Sequence, residues 1–90
     1  MKTLHNVRTQ ALRGRLREVR EAADLTQMDL ARAIGKPQSF VSKYETGERR
    51  LDVIEFAELC SALGVDATAL LADVLATGSS PPKPEGAARQ

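Results

Sequence analysis

"LTQMDLARAIGKPQSFVSKYETG", residues 25–47, decides how this chain folds. It holds two amphipathic segments with a Gly-Lys-Pro break between them. In the first, Thr26 is placed to cap a helix. Asp29, three residues on, can return a bond to the cap backbone, a capping-box pattern with a short acid. Leu30 and Ile34 supply an apolar face, and Ala31 allows close approach. Gly35 ends the segment as a left-handed residue. Pro37 favours the first turn of a second helix, because it has no N–H to leave unpaired. That second helix is expected over residues 37–45. So short a connection suits two helices crossing at a steep angle.

At about 100° per residue, Phe40, Val41 and Tyr44 fall within one arc of the second helix, a stripe that faces a core. Gln38, Ser39, Ser42 and Lys43 occupy the opposite arc. An ordinary wet face would more often carry Glu–Lys pairs one turn apart. This one instead carries amide, hydroxyl and ammonium groups, which donate and accept hydrogen bonds in a defined pattern.

The rest of the chain also reads as helix, with no internal repeat and no strand alternation. A first helix spans residues 6 or 9 to 23, with Leu12, Leu16 and Val19 at helical spacing and Gly14 inside it. Gly47 can close the helix that carries the polar face. Asp52 can cap a fourth helix over residues 53–63, whose stripe is Val53, Phe56, Ala57, Leu59, Cys60 and Leu63. Gly64 closes it. Asp66 starts a fifth helix over residues 67–75, with Leu70, Leu71 and Val74 for packing. Ile54 projects off the main stripe of the fourth helix, either under the fifth helix or into a contact between copies. The expected organisation is an arm or start of helix at residues 1–8, one helical domain at 9–76, and a flexible Pro-rich tail at 77–90.

Ninety residues make one small domain, which buries about 60% of its unfolded surface. No apolar run approaches the length of a membrane span, and no signal-peptide stretch is visible. A single cysteine excludes an internal disulfide. A cytoplasmic, nucleoid-associated protein with no membrane partner is the expectation. The net charge of +1 hides an asymmetry: residues 1–50 carry 11 Lys/Arg against 6 Asp/Glu, and residues 51–78 carry 5 Asp/Glu and no Lys or Arg. A basic half and an acidic half suit a polyanion bound on one side.

Catalysis has no foothold in this sequence. There is no Ser–His–acid set and no phosphate-cradling Gly loop, and Glu55 and Glu58 read as neighbours on a wet helix face. His5 stands alone, so no metal site and no cofactor are expected. Cys60 reads as a small buried hydrophobe, and a small-molecule ligand is not expected.

A tight Gly-containing turn between two helices raises the helix-turn-helix possibility. The major groove of B-DNA admits one α-helix, whose N-terminal residues reach base edges. Gln can bond adenine in bidentate fashion, Lys can donate to guanine, and Ser suits either. Phe40 fits either the core or a thymine methyl. Arg49 and Arg50 fit either phosphate contact or a solvated charge run beside Glu48. Arg13, Arg15 and Arg17 read as solvated helix faces.

The resemblance then becomes specific. Residues 12–71 resemble the Cro/C1-type (Xre) helix-turn-helix family. Leu16-Arg17, Thr26-Gln27, Leu30-Ala31, Gly35, Ser42, Glu45, Gly47, Leu59, Leu63-Gly64-Val65 and Leu70 carry the likeness in order and spacing. The resemblance implies an all-α fold, a compact five-helix bundle of lambda-repressor-like type with helices 2 and 3 as the DNA-binding pair. It implies base contacts from Gln38, Ser39, Ser42 and Lys43, and phosphate contacts from Gln27, Arg49 and Arg50. It also implies a structural ion pair between Arg20 and Glu45. The sequence departs from the family at Pro37, where Ser or Thr is usual, and mildly at Cys60.

The function implied is sequence-specific binding of double-stranded DNA by a small regulator. The expected form is a dimeric repressor reading a pseudo-palindromic operator, paired through Ile54 and helix 5. Two rival expectations remain. One is an antitoxin-type autoregulator whose tail, residues 79–90, holds a protein partner. The other is a protein–protein adaptor that binds no DNA, which would lack the steep salt dependence of phosphate contacts.

Overall fold

The computed structural model describes residues 7–77, which form five α-helices and no strand. The helices are α1 (Val7–Ala22), α2 (Gln27–Ala33), α3 (Gln38–Thr46), α4 (Val53–Leu63) and α5 (Ala67–Ala76). Residues 1–6 of the expected arm, His5 among them, and residues 78–90 of the expected tail lie outside the described residues.

Short polar side chains start three of the helices. Thr26 accepts from the Asp29 N–H at 3.0 Å, and the Asp29 carboxylate accepts from the Thr26 N–H at 2.9 Å, completing the box that opens α2. Asp52 and Glu55 build the same reciprocal box for α4. Asp66 caps α5 through the N–H groups of Thr68 and Ala69. Each such cap satisfies donors that the helix itself cannot.

Pro37 corrects the sequence expectation by one residue. It is the cap of α3, not part of its first turn, with φ −72° and ψ 156° and no side-chain bond to the helix. The ring fixes φ near a value that suits either position, so only ψ separates them. Gly35, at φ 70°, turns the chain between α2 and α3, and Lys36 N–H closes the turn on the Ala31 carbonyl at 2.9 Å.

The core is one cluster: Leu16 of α1, Leu30 and Ala31 of α2, Phe40, Val41 and Tyr44 of α3, Phe56, Leu59, Cys60 and Leu63 of α4, and Leu70 and Val74 of α5. α1 packs on α3, α4 and α5, and α2 packs on α3 and α4. The helix that carries the polar face is therefore seated from behind by three core side chains. Burial pushes the Cys60 thiol pKa upward, which keeps it protonated.

Three apolar positions depart from the expected stripes. Val53 is 78% exposed rather than buried with Phe56 and Leu59. It is the first residue of α4, just beyond the cap. Leu71 is exposed too, while Leu70 and Val74 take the inner face of α5. Ala57 also lies outside the core cluster.

Candidate nucleic-acid interface

α3 divides along its length into two faces. Phe40, Val41 and Tyr44 are buried, with the Phe40 and Tyr44 rings edge to face at 5.7 Å between centroids. Gln38, Ser39 and Lys43 are exposed, and Ser42 is half-buried on the same outer side. The side chains of Ser39, Ser42 and Lys43 take no hydrogen-bond partner among the described residues, so their polar atoms remain available to a ligand.

Gln38 is already oriented. Its amide Nε2 donates to Gln27 Oε1 at 3.2 Å, and Gln27 Nε2 donates to Glu45 Oε1 at 2.9 Å. Glu45 also accepts from Arg20, from Nε at 2.8 Å and from Nη2 at 3.1 Å. Arg20 Nη1 then donates to the Leu25 carbonyl at 2.8 Å. A polar chain thus runs from α1 through the end of α3 and the start of α2 to the outer amide of Gln38. Its inner end is well covered, with the Arg20 side chain 9% exposed and that of Glu45 3%. Two parallel N–H···O bonds fix both planes, which single contacts do not. Beside this chain the Tyr44 hydroxyl is buried with no hydrogen-bond partner among the described residues. Burial above all, with the Glu45 charge adding to it, holds its pKa above the usual phenol range.

Arg49 and Arg50 leave α3 together but are placed differently. Arg50 is exposed in the loop. Arg49 turns back, its Nη1 donating to Glu55 Oε1 at 2.9 Å and its Nη2 to Glu55 Oε2 at 2.8 Å. Arg49 Nη1 also donates to the Arg50 carbonyl at 2.6 Å. The guanidinium lies over the Phe40 ring, its Cζ 4.7 Å from the centroid, and the Lys36 ammonium lies 5.3 Å from the same centroid. Glu55 is thus not on a wet face, as the sequence reading has it: its side chain is 14% exposed and folded into this clamp. The Arg49 hydrogen bonds, aided by the Asp52 N–H, hold its carboxyl down at about 2. Glu58 does stay exposed.

Of the α1 arginines expected to be solvated, Arg17 pairs with Glu21 on the surface and Arg15 reaches both Glu18 and Asp73 of α5. Arg13 closes on the end of α3, where a Cβ added at Gly47 would meet its Cζ at 3.1 Å; the flexible guanidinium can yield, so it is the φ of 90° that calls for glycine there.

The sequence gives Lys36 no role and sets Glu55 on a wet face. Lys36 sits in the turn, outside every helical stripe. Glu55 reaches a partner six residues back across a loop, a separation no helical period reveals. Its place three residues after Asp52 was the one local signal.

Compared with known proteins, residues 11–74 match a family model described as a helix-turn-helix domain. Among solved structures, an XRE-family like protein from Pseudomonas syringae pv. tomato str. DC3000 is similar at 53% identity and a TM-score of 0.78, over 83% of this chain and 92% of that one. The restriction-modification controller protein C.AhdI from Aeromonas hydrophila is similar at 32% identity and a TM-score of 0.64, over 69% of this chain and 94% of that one. The clp gene regulator ClgR from C. glutamicum, at 24% identity and a TM-score of 0.72 over 83% and 97%, shares the fold. None of the curated proteins compared matches this chain.

Proposed function

Because this chain belongs to the Cro/C1-type (Xre) helix-turn-helix family of DNA-binding regulators, we propose that it binds double-stranded DNA sequence-specifically as a small dimeric transcriptional repressor. In this reading α3 enters the major groove. Gln38, Ser39, Ser42 and Lys43 contact bases, and Gln27, Arg49 and Arg50 contact phosphates. The observation that carries the reading is the division of α3. Its outer face is polar and open, its inner face is core, and its leading amide is held by a hydrogen-bonded chain that ends at the buried Arg20. A helix inserted in a groove needs such fixed presentation, because base edges discriminate by donor and acceptor position.

The same chain of bonds supports a double role for Gln27. Its side-chain amide is taken by Glu45 and Gln38, while it stands first in α2, where the dipole favours an anion. Dimerisation is supported by Ile54, 65% exposed on α4, and by Leu71 and Leu75, exposed on α5. A two-fold dimer would place its reading helices in half-sites about 34 Å apart.

A binding selection on random DNA duplexes tests the proposal. Enrichment of a pseudo-palindrome is the expected result. Gln38→Ala and Lys43→Ala should each relax preference at one base position and cost about 1–3 kcal/mol there. An operator preference untouched by both substitutions would remove α3 as the reader.

A further inference from the structure

The clamp between α3 and α4 is not explained by base reading, and it sits beside the reading helix. An open cleft of about 410 Å³ borders α3, and Lys36, Phe40, Lys43 and Arg49 line it together with Glu48, the one acid among its lining residues. Both Lys36 and Arg49 lie over the Phe40 ring, so the aromatic face fixes where two cations rest. Glu55 takes the Nη1–Nη2 edge of the Arg49 guanidinium. The other edge, formed by the Nε–H and the second Nη2–H, takes no partner among the described residues. That edge is a second fork of the geometry that matches a phosphate. Glu55 is itself fixed, because its Oε1 also accepts from the Asp52 N–H at 2.9 Å in the cap of α4. Arg49 is therefore tied at one end to a helix terminus and stacked on a core ring, yet its side chain remains 40% exposed.

We propose that Glu55 is a positioning residue for DNA binding: it holds Arg49 across Phe40 so that the free guanidinium edge and the Lys36 ammonium together seat one backbone phosphate. The inference rests on the DNA-binding reading above and adds to it Lys36 as a contact and Glu55 as the group that aims Arg49. Glu55 itself does not touch DNA. This assignment opposes simple charge counting, by which removing a carboxylate near a polyanion strengthens binding. Here the carboxylate supports binding, because an unheld Arg49 would have to give up side-chain freedom on contact.

The test is fluorescence-anisotropy titration of the full chain against a short duplex of mixed sequence, at several salt concentrations. A phosphate contact contributes about 0.9 to the slope of log affinity against log salt. Glu55→Gln is expected to lower that slope by about this amount and to weaken binding on the order of tenfold at 50 mM salt, a gap that closes as salt rises. On an Arg49→Gln background, Glu55→Gln is expected to add nothing, and Lys36→Gln to add less than it does alone. Glu58→Gln, an exposed acid outside the clamp, is expected to leave binding unchanged or tighter. Arg49→Lys keeps the charge but loses the fork, and it is expected to bind as weakly as Glu55→Gln. It covers the case in which Glu55→Gln unfolds the start of α4. Unchanged or tighter binding by Glu55→Gln overturns the proposal, as does an equal loss on the Arg49→Gln background, or wild-type affinity in Arg49→Lys. A wild-type chain that binds no duplex overturns the DNA-binding reading and this one together. A wild type that binds while the variants behave as simple charge changes overturns this one alone.

Discussion

At Glu45 three donors converge: two N–H groups of Arg20 and the side-chain amide of Gln27. Glu45→Ala would leave the Arg20 guanidinium covered, with only the exposed Glu21 carboxylate, 3.9 Å from Nη2, as a counter-charge. Such a loss costs about 3–5 kcal/mol, more than the net worth of the pair against an apolar substitute. Urea denaturation of wild type and variant measures it, and a loss below about 1 kcal/mol would mean that Arg20 escapes to solvent. The pair was legible only through the family resemblance, because the partners stand far apart in the chain and on different helices. Glu55 adds a dependence on pH. Its carboxyl is lowered from 4.5 to about 2 by Arg49 first and by the Asp52 N–H second. A lowered folded-state pKa means that the unfolded chain takes up the proton first. The clamp therefore stabilises the fold fully above about pH 4.5, and its contribution disappears as the pH falls towards about 2. Melting temperature followed across that window should fall less steeply in Glu55→Gln than in wild type.

The helices carry most of their limits in local chemistry, which is why their order was readable before their packing. Thr26, Asp52 and Asp66 start elements, and Gly35 and Gly64 follow the ends of α2 and α4. The end of α1 was less legible. Asp24 takes the left-handed conformation there, at φ 65°, and Leu25 N–H bonds back to the Arg20 carbonyl at 3.1 Å. Asp tolerates that region, but its presence does not announce it. Periodicity located the inner face of each helix without giving its width, so Val53 and Leu71 were assigned to stripes they border. Gly14 provides a test at this scale. It lies inside α1, and a Cβ built there meets nothing within 4 Å. Gly14→Ala should stabilise the protein by about 1 kcal/mol, read as a higher urea midpoint with an unchanged slope. No gain would mean that the unfolded chain or a frayed α1 already offsets the difference.

As a whole, the molecule gathers its cations in residues 1–50 and leaves residues 51–78 with acids and no Lys or Arg, the two halves meeting where Arg49 pairs with Glu55 and Arg15 with Asp73. The exposed Ile54 is the position at which the proposed association is tested. Ile54→Asp should shift sedimentation towards a monomer and weaken operator binding while leaving the preferred bases unchanged. A dimer that persists places the contact elsewhere, with Leu71 and Leu75 the next positions to test. Charge asymmetry and the polar arc of α3 were visible from composition and spacing alone. The clamp was not, because a contact closed across a loop depends on how the loop turns. The two sides of α3 have one last consequence. Since Phe40, Val41 and Tyr44 anchor it while Gln38, Ser39 and Lys43 face outward, the DNA-binding reading proposed above puts folding and target choice at different positions of one nine-residue segment. On that reading, descendants of this chain would drift to new targets by exchanging the outward letters, with little penalty to the scaffold that holds them.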